Sequence, residues 1–216
     1  MKEISFEHPH RRAHFEYFNR MTNPLFAVCA PVEVTAFVQH RQERRLPFTP
    51  AVVYLVARAA NDIPEFRWRI RGERVVEHGV VHPSFSVPTD RADVFSFCEV
   101  PYAPDGVDFI HRAQTRMAQM RVQPSFTDEP GRDDFLFLSA FPWASFTSVQ
   151  HPMHYQPCDS VPRIVWGKHY PEGDKILMPV SVQAHHAVVD GRHCGYFFEQ
   201  LSALFAEPGR YFGKLL

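Results

Sequence analysis

The sequence predicts an α+β fold, a two-layer sandwich of helices over a largely antiparallel or mixed sheet. Three observations point there. Segments with apolar residues three and four apart recur along the chain; short runs rich in Phe, Val and Trp fill residues 64–102; and one long alternating run near the end leads straight into a helical pattern. With 216 residues, 45% of them apolar, and with 20 Phe, 7 Tyr and 3 Trp, the chain can enclose a sizeable core, so one domain over residues 1–216 is expected. No repeat, low-complexity tract or Gly/Ser linker interrupts it, and the 19 prolines punctuate elements inside one unit.

In chain order, "HRRAHFEYFNRM" (10–21) places Phe15, Phe18 and Met21 about a turn apart and predicts a first helix. "LFAVCAPVEV" (25–34) reads as a strand, and "VTAFVQHRQERR" (34–45) as a helix opened by Thr35. "LPFTPAVVYLVARAAND" (46–62) has Thr49 as its cap and Pro50 at the first helical position, then apolar residues on nearly every side, the pattern of a buried helix. "RGER" (71–74) is a hairpin turn between "FRWRI" and "VVEHGVV", where an antiparallel sheet begins. "PDGVDFIHRAQTRMAQMR" (104–121) returns to helical spacing, and "DDFLFLSAF" (133–141) reads as an inner strand. "RIVWGKHY" (163–170) precedes a turn at "PEGDK". In "ILMPVSVQAHH" (176–186), Ile176, Met178, Val180, Val182 and Ala184 share one face. After Asp190-Gly191, the residues Cys194, Phe197, Phe198, Leu201, Leu204 and Phe205 follow an amphipathic helix.

A formal net charge of -1, from 23 basic and 24 acidic residues, provides no global field for nucleic acid or an anionic membrane, and neither is expected as a partner. The start, "MKEISFEHPHRR", lacks the apolar core of a signal peptide, and no run approaches the roughly 18 apolar residues of a spanning helix. A cytoplasmic location is expected. Cys29, Cys98, Cys158 and Cys194 show no CxxC spacing and read as buried free thiols.

The chemistry is concentrated in "QAHHAVVDGRH" (183–193), at a strand-to-helix junction where a loop exposes side chains that regular structure would bury. Neighbouring residues of a strand point to opposite faces, so His185 and His186 are not a chelating pair. A metal site would need convergent ligands from His185 or His186, Asp190 and His193, yet there is no HExxH and no cysteine partner, so none is expected. The residues alone leave two readings. Either the histidines end a strand and Asp190 caps the next helix, or the loop carries catalysis.

The segment resembles the signature HHxxxDG of the chloramphenicol acetyltransferase family, here His185, His186, Asp190 and Gly191. "HRRAHFEYF", "LSAFPWASFTS" (138–148) and "GKHYPEGDKILMPVSVQAHHAVVDG" (167–191) look like family segments in the family's order. The resemblance spans essentially the whole chain. It implies the coenzyme A-dependent acyltransferase fold, a homotrimer with active sites at subunit interfaces, and acetyl-coenzyme A as co-substrate with no permanently bound cofactor.

By that resemblance His186 is the general base, a role that suits an imidazole with a pKa near ~6.5 provided one ring nitrogen is held and the other is free. Ser139 is the oxyanion donor. Asp190 organises the site through an ion pair with Arg11, His185 shapes the loop, and Gly191 permits a sharp turn or a positive φ. Trp143 and Lys168 match positions near coenzyme A. The acceptor pocket falls on Phe18, Thr22, Phe95, His151, Arg163 and Val165. Of these, Phe18, Thr22, His151, Arg163 and Val165 differ in character from the family's residues, and Phe95 stays aromatic. The resemblance makes chloramphenicol the leading acceptor, and the lost apolar lining should weaken a hydrophobic nitroaromatic ligand. Another hydroxyl or amine acceptor with the same mechanism is the alternative, and a non-catalytic coenzyme A- or small-molecule-binding relative is a third possibility.

Overall fold

The computed structural model describes residues 1–127, 129, 131–155 and 157–213. The chain opens with strand β1 (Lys2–Ile4) and helix α1 (Pro9–Asn19), whose first turn is capped by His8 Nδ1 accepting from the backbone N–H of His10. Strand β2 (Leu25–Glu33), α2 (Thr35–Arg44) and α3 (Phe48–Asn61) follow, then a 3-10 turn at Pro64–Arg67. Next come β3 (Trp68–Arg71), β4 (Arg74–Glu77), β5 (His82–Pro88), β6 (Phe95–Glu99) and α4 (Gly106–Val122). The last third holds β7 (Phe135–Phe141), β8 (Arg163–Gly167), β9 (Tyr170–Glu172), β10 (Lys175–His185), α5 (Gly191–Ala206) and the short α6 (Gly209–Phe212).

The main sheet runs β2-β10-β8-β7-β5-β6, with β9 paired to β10. It is mixed: β7 is parallel to both of its neighbours, β5 and β8, and the other pairs are antiparallel. One face carries Phe85, Leu138, Ile164, Trp166, Val180 and Val182, all buried beneath the helices. Helix α3, apolar on nearly every side, lies within that helical layer, where ten of its residues are buried. The two-layer α+β class read from the sequence is the class observed.

Several local expectations need correction. Val34, not Thr35, is the residue before α2; the Thr35 hydroxyl accepts from the Ile176 N–H at 2.9 Å and ties α2 to β10. Helix α3 begins at Phe48, with Pro47 before it, so Thr49 is already helical and makes no cap bond. Helix α1 ends at Asn19, which leaves Met21 beyond it and exposed. The 71–74 hairpin forms, but in a separate three-stranded sheet, β1-β4-β3, rather than in the main one. Of the four free thiols, Cys98 and Cys194 are buried, and Cys29 and Cys158 are only partly so.

A buried arginine joins the small sheet to the large one. Arg69 of β3 is 1% exposed and donates to the carbonyls of Phe66, Trp68, Asp133 and Phe135. A guanidinium offers five donors, enough to satisfy four converging carbonyls that β7 and the turn before β3 would otherwise leave unpaired. Replacing Arg69 with Met is expected to lower stability by about 3 kcal/mol or more in urea denaturation. The same change at Arg71, whose contact with Asp133 lies at the surface, is expected to cost less than about 1 kcal/mol.

Candidate active site

The turn that follows β10 is closed by its own backbone. The carbonyl of His185 accepts from the N–H groups of Val188 (3.1 Å) and Val189 (3.0 Å), and His186 N–H donates to Pro24 (2.8 Å) beside the start of β2. His185 is 3% exposed, and its Nδ1 accepts from the Ala187 N–H at 3.2 Å. Arg11, from α1, fastens the turn from outside, donating to the carbonyls of Ala187 (2.9 Å) and Val188 (2.8 Å) while its guanidinium lies over Phe6 and Trp68. Arg11 and Asp190 are not in ion-pair contact, contrary to expectation. The guanidinium spends its donors on carbonyls and on His14 Nδ1 (2.9 Å), and Asp190 faces His14 Nε2 instead, at 3.8 Å.

Asp190 caps α5. Its Oδ1 accepts from the Arg192 N–H at 3.1 Å, and His193 Nδ1 accepts from the Asp190 N–H at 2.9 Å, which completes a capping box. The Arg192 bond, joined by the charges of His186, His193 and His14, holds the Asp190 carboxyl below its ordinary range against a smaller opposing effect of burial. Gly191 is the first residue of α5 and has no positive φ. A Cβ there would meet nothing within 4 Å, so the glycine answers no backbone demand.

His186 sits where the turn exposes it. Its ring is sandwiched between Phe18 (centroids 4.1 Å apart) and Phe26 (4.4 Å), with His14 edge-on at 5.4 Å. His186 Nδ1 lies 3.2 Å from the carbonyl oxygen of Val189. A carbonyl only accepts, so Nδ1 carries the proton, and in the neutral ring Nε2 keeps its lone pair. Burial, then Arg11, lowers the pKa of His14.

His14, His186 and Asp190 bring three potential metal-ligand atoms within 4.8 Å of one another, a grouping different from the one weighed in the sequence. The adjacent Arg11 guanidinium, 2.9 Å from His14 Nδ1, puts a fixed positive charge beside this grouping, which disfavours a cation there.

Ser139 belongs to a second cluster. Its hydroxyl lies 3.1 Å from that of Ser86, in a cleft of about 520 Å³ lined by Phe95, Phe97, Phe137, His151 and Arg163. Arg163 is paired in two-point fashion with Asp159 (2.9 and 2.8 Å) and lies over Phe137. Val165 is buried in β8 beside Ser139. Trp143, exposed and edge-on to Phe141, and Lys168, also exposed, lie together at the far end of β7 and β8, where Lys168 N–H donates to the carbonyl of Ala144. Thr22 is exposed in the turn after α1.

The register fixes how these two clusters lie. Ser139 is opposite Val165, which is opposite Ser181; Phe26 is opposite Ala184. Cross-strand partners share a face and successive residues alternate, so Ser139 lies on the face away from the helices, and Phe26, which stacks on His186, on the helical face. Five residues along β10 and two strand spacings across the sheet separate the levels of Ser139 and His186, roughly 20 Å in all.

A sequence model described as chloramphenicol acetyltransferase matches residues 1–202. The chain is 31% identical over 192 residues to a chloramphenicol acetyltransferase of Klebsiella sp, covering 89% of this chain and 88% of that protein. The chain belongs to the chloramphenicol acetyltransferase family. Another of its relatives, chloramphenicol acetyltransferase 3 of Escherichia coli, is 29% identical over 203 residues, 90% of this chain and 92% of that one. A solved chloramphenicol acetyltransferase superposes with a TM-score of 0.81 at 24% identity, covering 94% of this chain and 98% of that one. The dihydrolipoamide acetyltransferase of Azotobacter vinelandii gives 0.71 at 14%, covering 92% and 88%; both likenesses concern the fold.

Within the family frame, the geometry adds residues that the motifs did not reveal. His14 stands three positions after Arg11 and four before the expected Phe18, on one face of α1, a spacing that the sequence displays. Phe137 precedes Ser139 by two residues on one face of β7, which alternation also marks. Phe26, Ser86 and Gln183 carry no such mark, because only strand register brings them to the site.

Burial lowers the pKa of His185 from 6.5 to about 4, with His186 adding to the shift and Asp159 opposing it. The folded state then refuses a proton that the unfolded chain accepts below pH 6.5. Stability is therefore retained at neutral pH and lost as pH falls from 6.5 toward 4. This group alone is expected to cost about 2 kcal/mol between pH 7.5 and pH 5 in urea denaturation, and His185→Asn should flatten that part of the profile.

Proposed function

We propose that the protein transfers the acetyl group of acetyl-coenzyme A to a hydroxyl of chloramphenicol, in active sites shared between copies of a homotrimer. The observation that carries the reading is the His186 ring, with Nδ1 committed to the Val189 carbonyl and Nε2 left as a base. Nε2 takes the proton of the acceptor hydroxyl as its oxygen attacks the thioester carbonyl. The Ser139 hydroxyl donates to the oxyanion of the tetrahedral intermediate, which collapses with cleavage of the C–S bond, and His186 returns the proton to the departing thiolate. Arg11, His185 and Asp190 organise the turn. Trp143 and Lys168 receive coenzyme A. Phe18, Thr22, Phe95, His151, Arg163 and Val165 border the acceptor.

The roughly 20 Å between His186 and Ser139, on opposite faces of one sheet, supports the shared site. One chain cannot bring the two groups to a single carbonyl, but His186 of one copy can face Ser139 of the next around a three-fold axis. No helix among the described residues is long and apolar enough to cross a membrane. The reading places the reaction in the cytoplasm, where thiols stay reduced. His151 and Arg163 in the cleft favour one further reading, the same transfer to another hydroxyl or amine acceptor.

Purified protein with acetyl-coenzyme A and chloramphenicol is expected to release thiol, followed with a colour reagent. No release at millimolar substrate would refute the antibiotic as acceptor, and an acceptor panel then tests the second reading. His186→Ala is expected to lower kcat about 10²–10⁴-fold, and Ser139→Ala about 10²–10³-fold. Co-assembling the two inactive variants in equal amounts is expected to restore about a quarter of the wild-type activity, since a random mixture pairs an intact His186 with an intact Ser139 at one interface in four. Absence of any restoration in verified mixed trimers would rule out the shared site.

A further inference from the structure

We propose that His151 is a specificity-determining residue, which hydrogen-bonds through Nε2 to a polar group of the acceptor other than the hydroxyl that is acetylated; this rests on the reading of the Ser139 cleft as the acceptor site. His151 Nε2 is buried and has no hydrogen-bond partner. Among the described residues, it is the only such side-chain atom belonging to a residue that lines the cleft. A buried polar atom without a partner is unfavourable, and a ligand that supplies the partner removes the penalty, whereas one that cannot leaves it in place.

The position of His151 is built rather than incidental. Its N–H donates to Gln183 Oε1 at 2.9 Å, and the Gln183 amide is held in turn by Met153 Sδ at 3.0 Å. Gln183 is 5% exposed and belongs to β10, so the central strand sets where His151 stands.

The surroundings define the ligand class. Burial, with the charge of Arg163 adding to it, lowers the His151 pKa to about 4, so the ring is neutral at physiological pH and suited to hydrogen bonding rather than to proton transfer. The guanidinium of Arg163 is neutralised by its two-point pairing with Asp159. Phe95, Phe97 and Phe137 supply aromatic walls. The cleft therefore suits a neutral aromatic alcohol that carries a second hydrogen-bonding group.

The test compares wild type with His151→Leu and His151→Gln, using chloramphenicol and three analogues that lack in turn the nitro group, the benzylic hydroxyl and the amide carbonyl. His151→Leu is expected to raise KM for chloramphenicol about tenfold while leaving kcat and KM for acetyl-coenzyme A within twofold, and His151→Gln to recover part of the loss. For one analogue, the one lacking the bonded group, the penalty should vanish. Overturning results are an unchanged or lower KM in His151→Leu, an equal penalty for every analogue, or an altered oligomeric mass with KM unchanged. If wild type acetylates no acceptor, the transferase reading fails by itself. Calorimetric titration of chloramphenicol then decides on His151: weaker binding to the Leu variant supports the inference, and equal binding or none to wild type overturns it.

Discussion

Strand β10 governs the molecule. It pairs with β2 on one side and with β8 and β9 on the other, and every residue from Leu177 to His185 is buried. A strand enclosed on both faces has to supply an apolar row to the helical layer, here Met178, Val180, Val182 and Ala184. On the opposite face it can carry polar groups only where they are bonded. Gln183 and His185 meet that condition through Met153, the His151 N–H and the Ala187 N–H. The strand ends in a turn that sends the next side chain, His186, to the other face. One element thereby leads into the proposed base on one side and positions the proposed acceptor cleft on the other.

In the proposed shared site both groups hang from one inextensible ladder, which makes assembly part of the chemistry rather than an addition to it. Small changes of side-chain rotamer cannot close a gap of about 20 Å in a sheet whose strands rise some 3.4 Å per residue. On the shared-site proposal, the fold keeps each half-site rigid and leaves their encounter to the packing of copies.

Much of this was legible in the sequence. The alternation in 176–186 and the spacing in 104–121 and 191–206 gave the correct elements, since buried faces impose those periods whatever the topology. Residue type alone places Thr35 and Thr49 at helix caps, whereas tertiary demand uses the Thr35 hydroxyl on β10 and both helices start earlier. Strand β1 and the separate three-stranded sheet went unread, since a three-residue strand has no period to detect. The Arg11 partner was misassigned for a related reason. Charge suggests Asp190, but two carbonyls of a tight turn offer a guanidinium better-placed acceptors. The Val189 carbonyl behind His186 leaves no trace in the sequence, as any residue could provide it.

The fastening of the turn by Arg11 has a consequence for the order in which the protein matures. The two hydrogen bonds that hold residues 187 and 188 reach back 176 and 177 positions, to helix α1. Contacts of such long sequence separation form late, after the intervening loop has been closed. Helix α1 must therefore wait for its two carbonyl partners until residues 187 and 188 have been made. A chain that stops short of residues 187 and 188 leaves the turn that carries His186 unfastened.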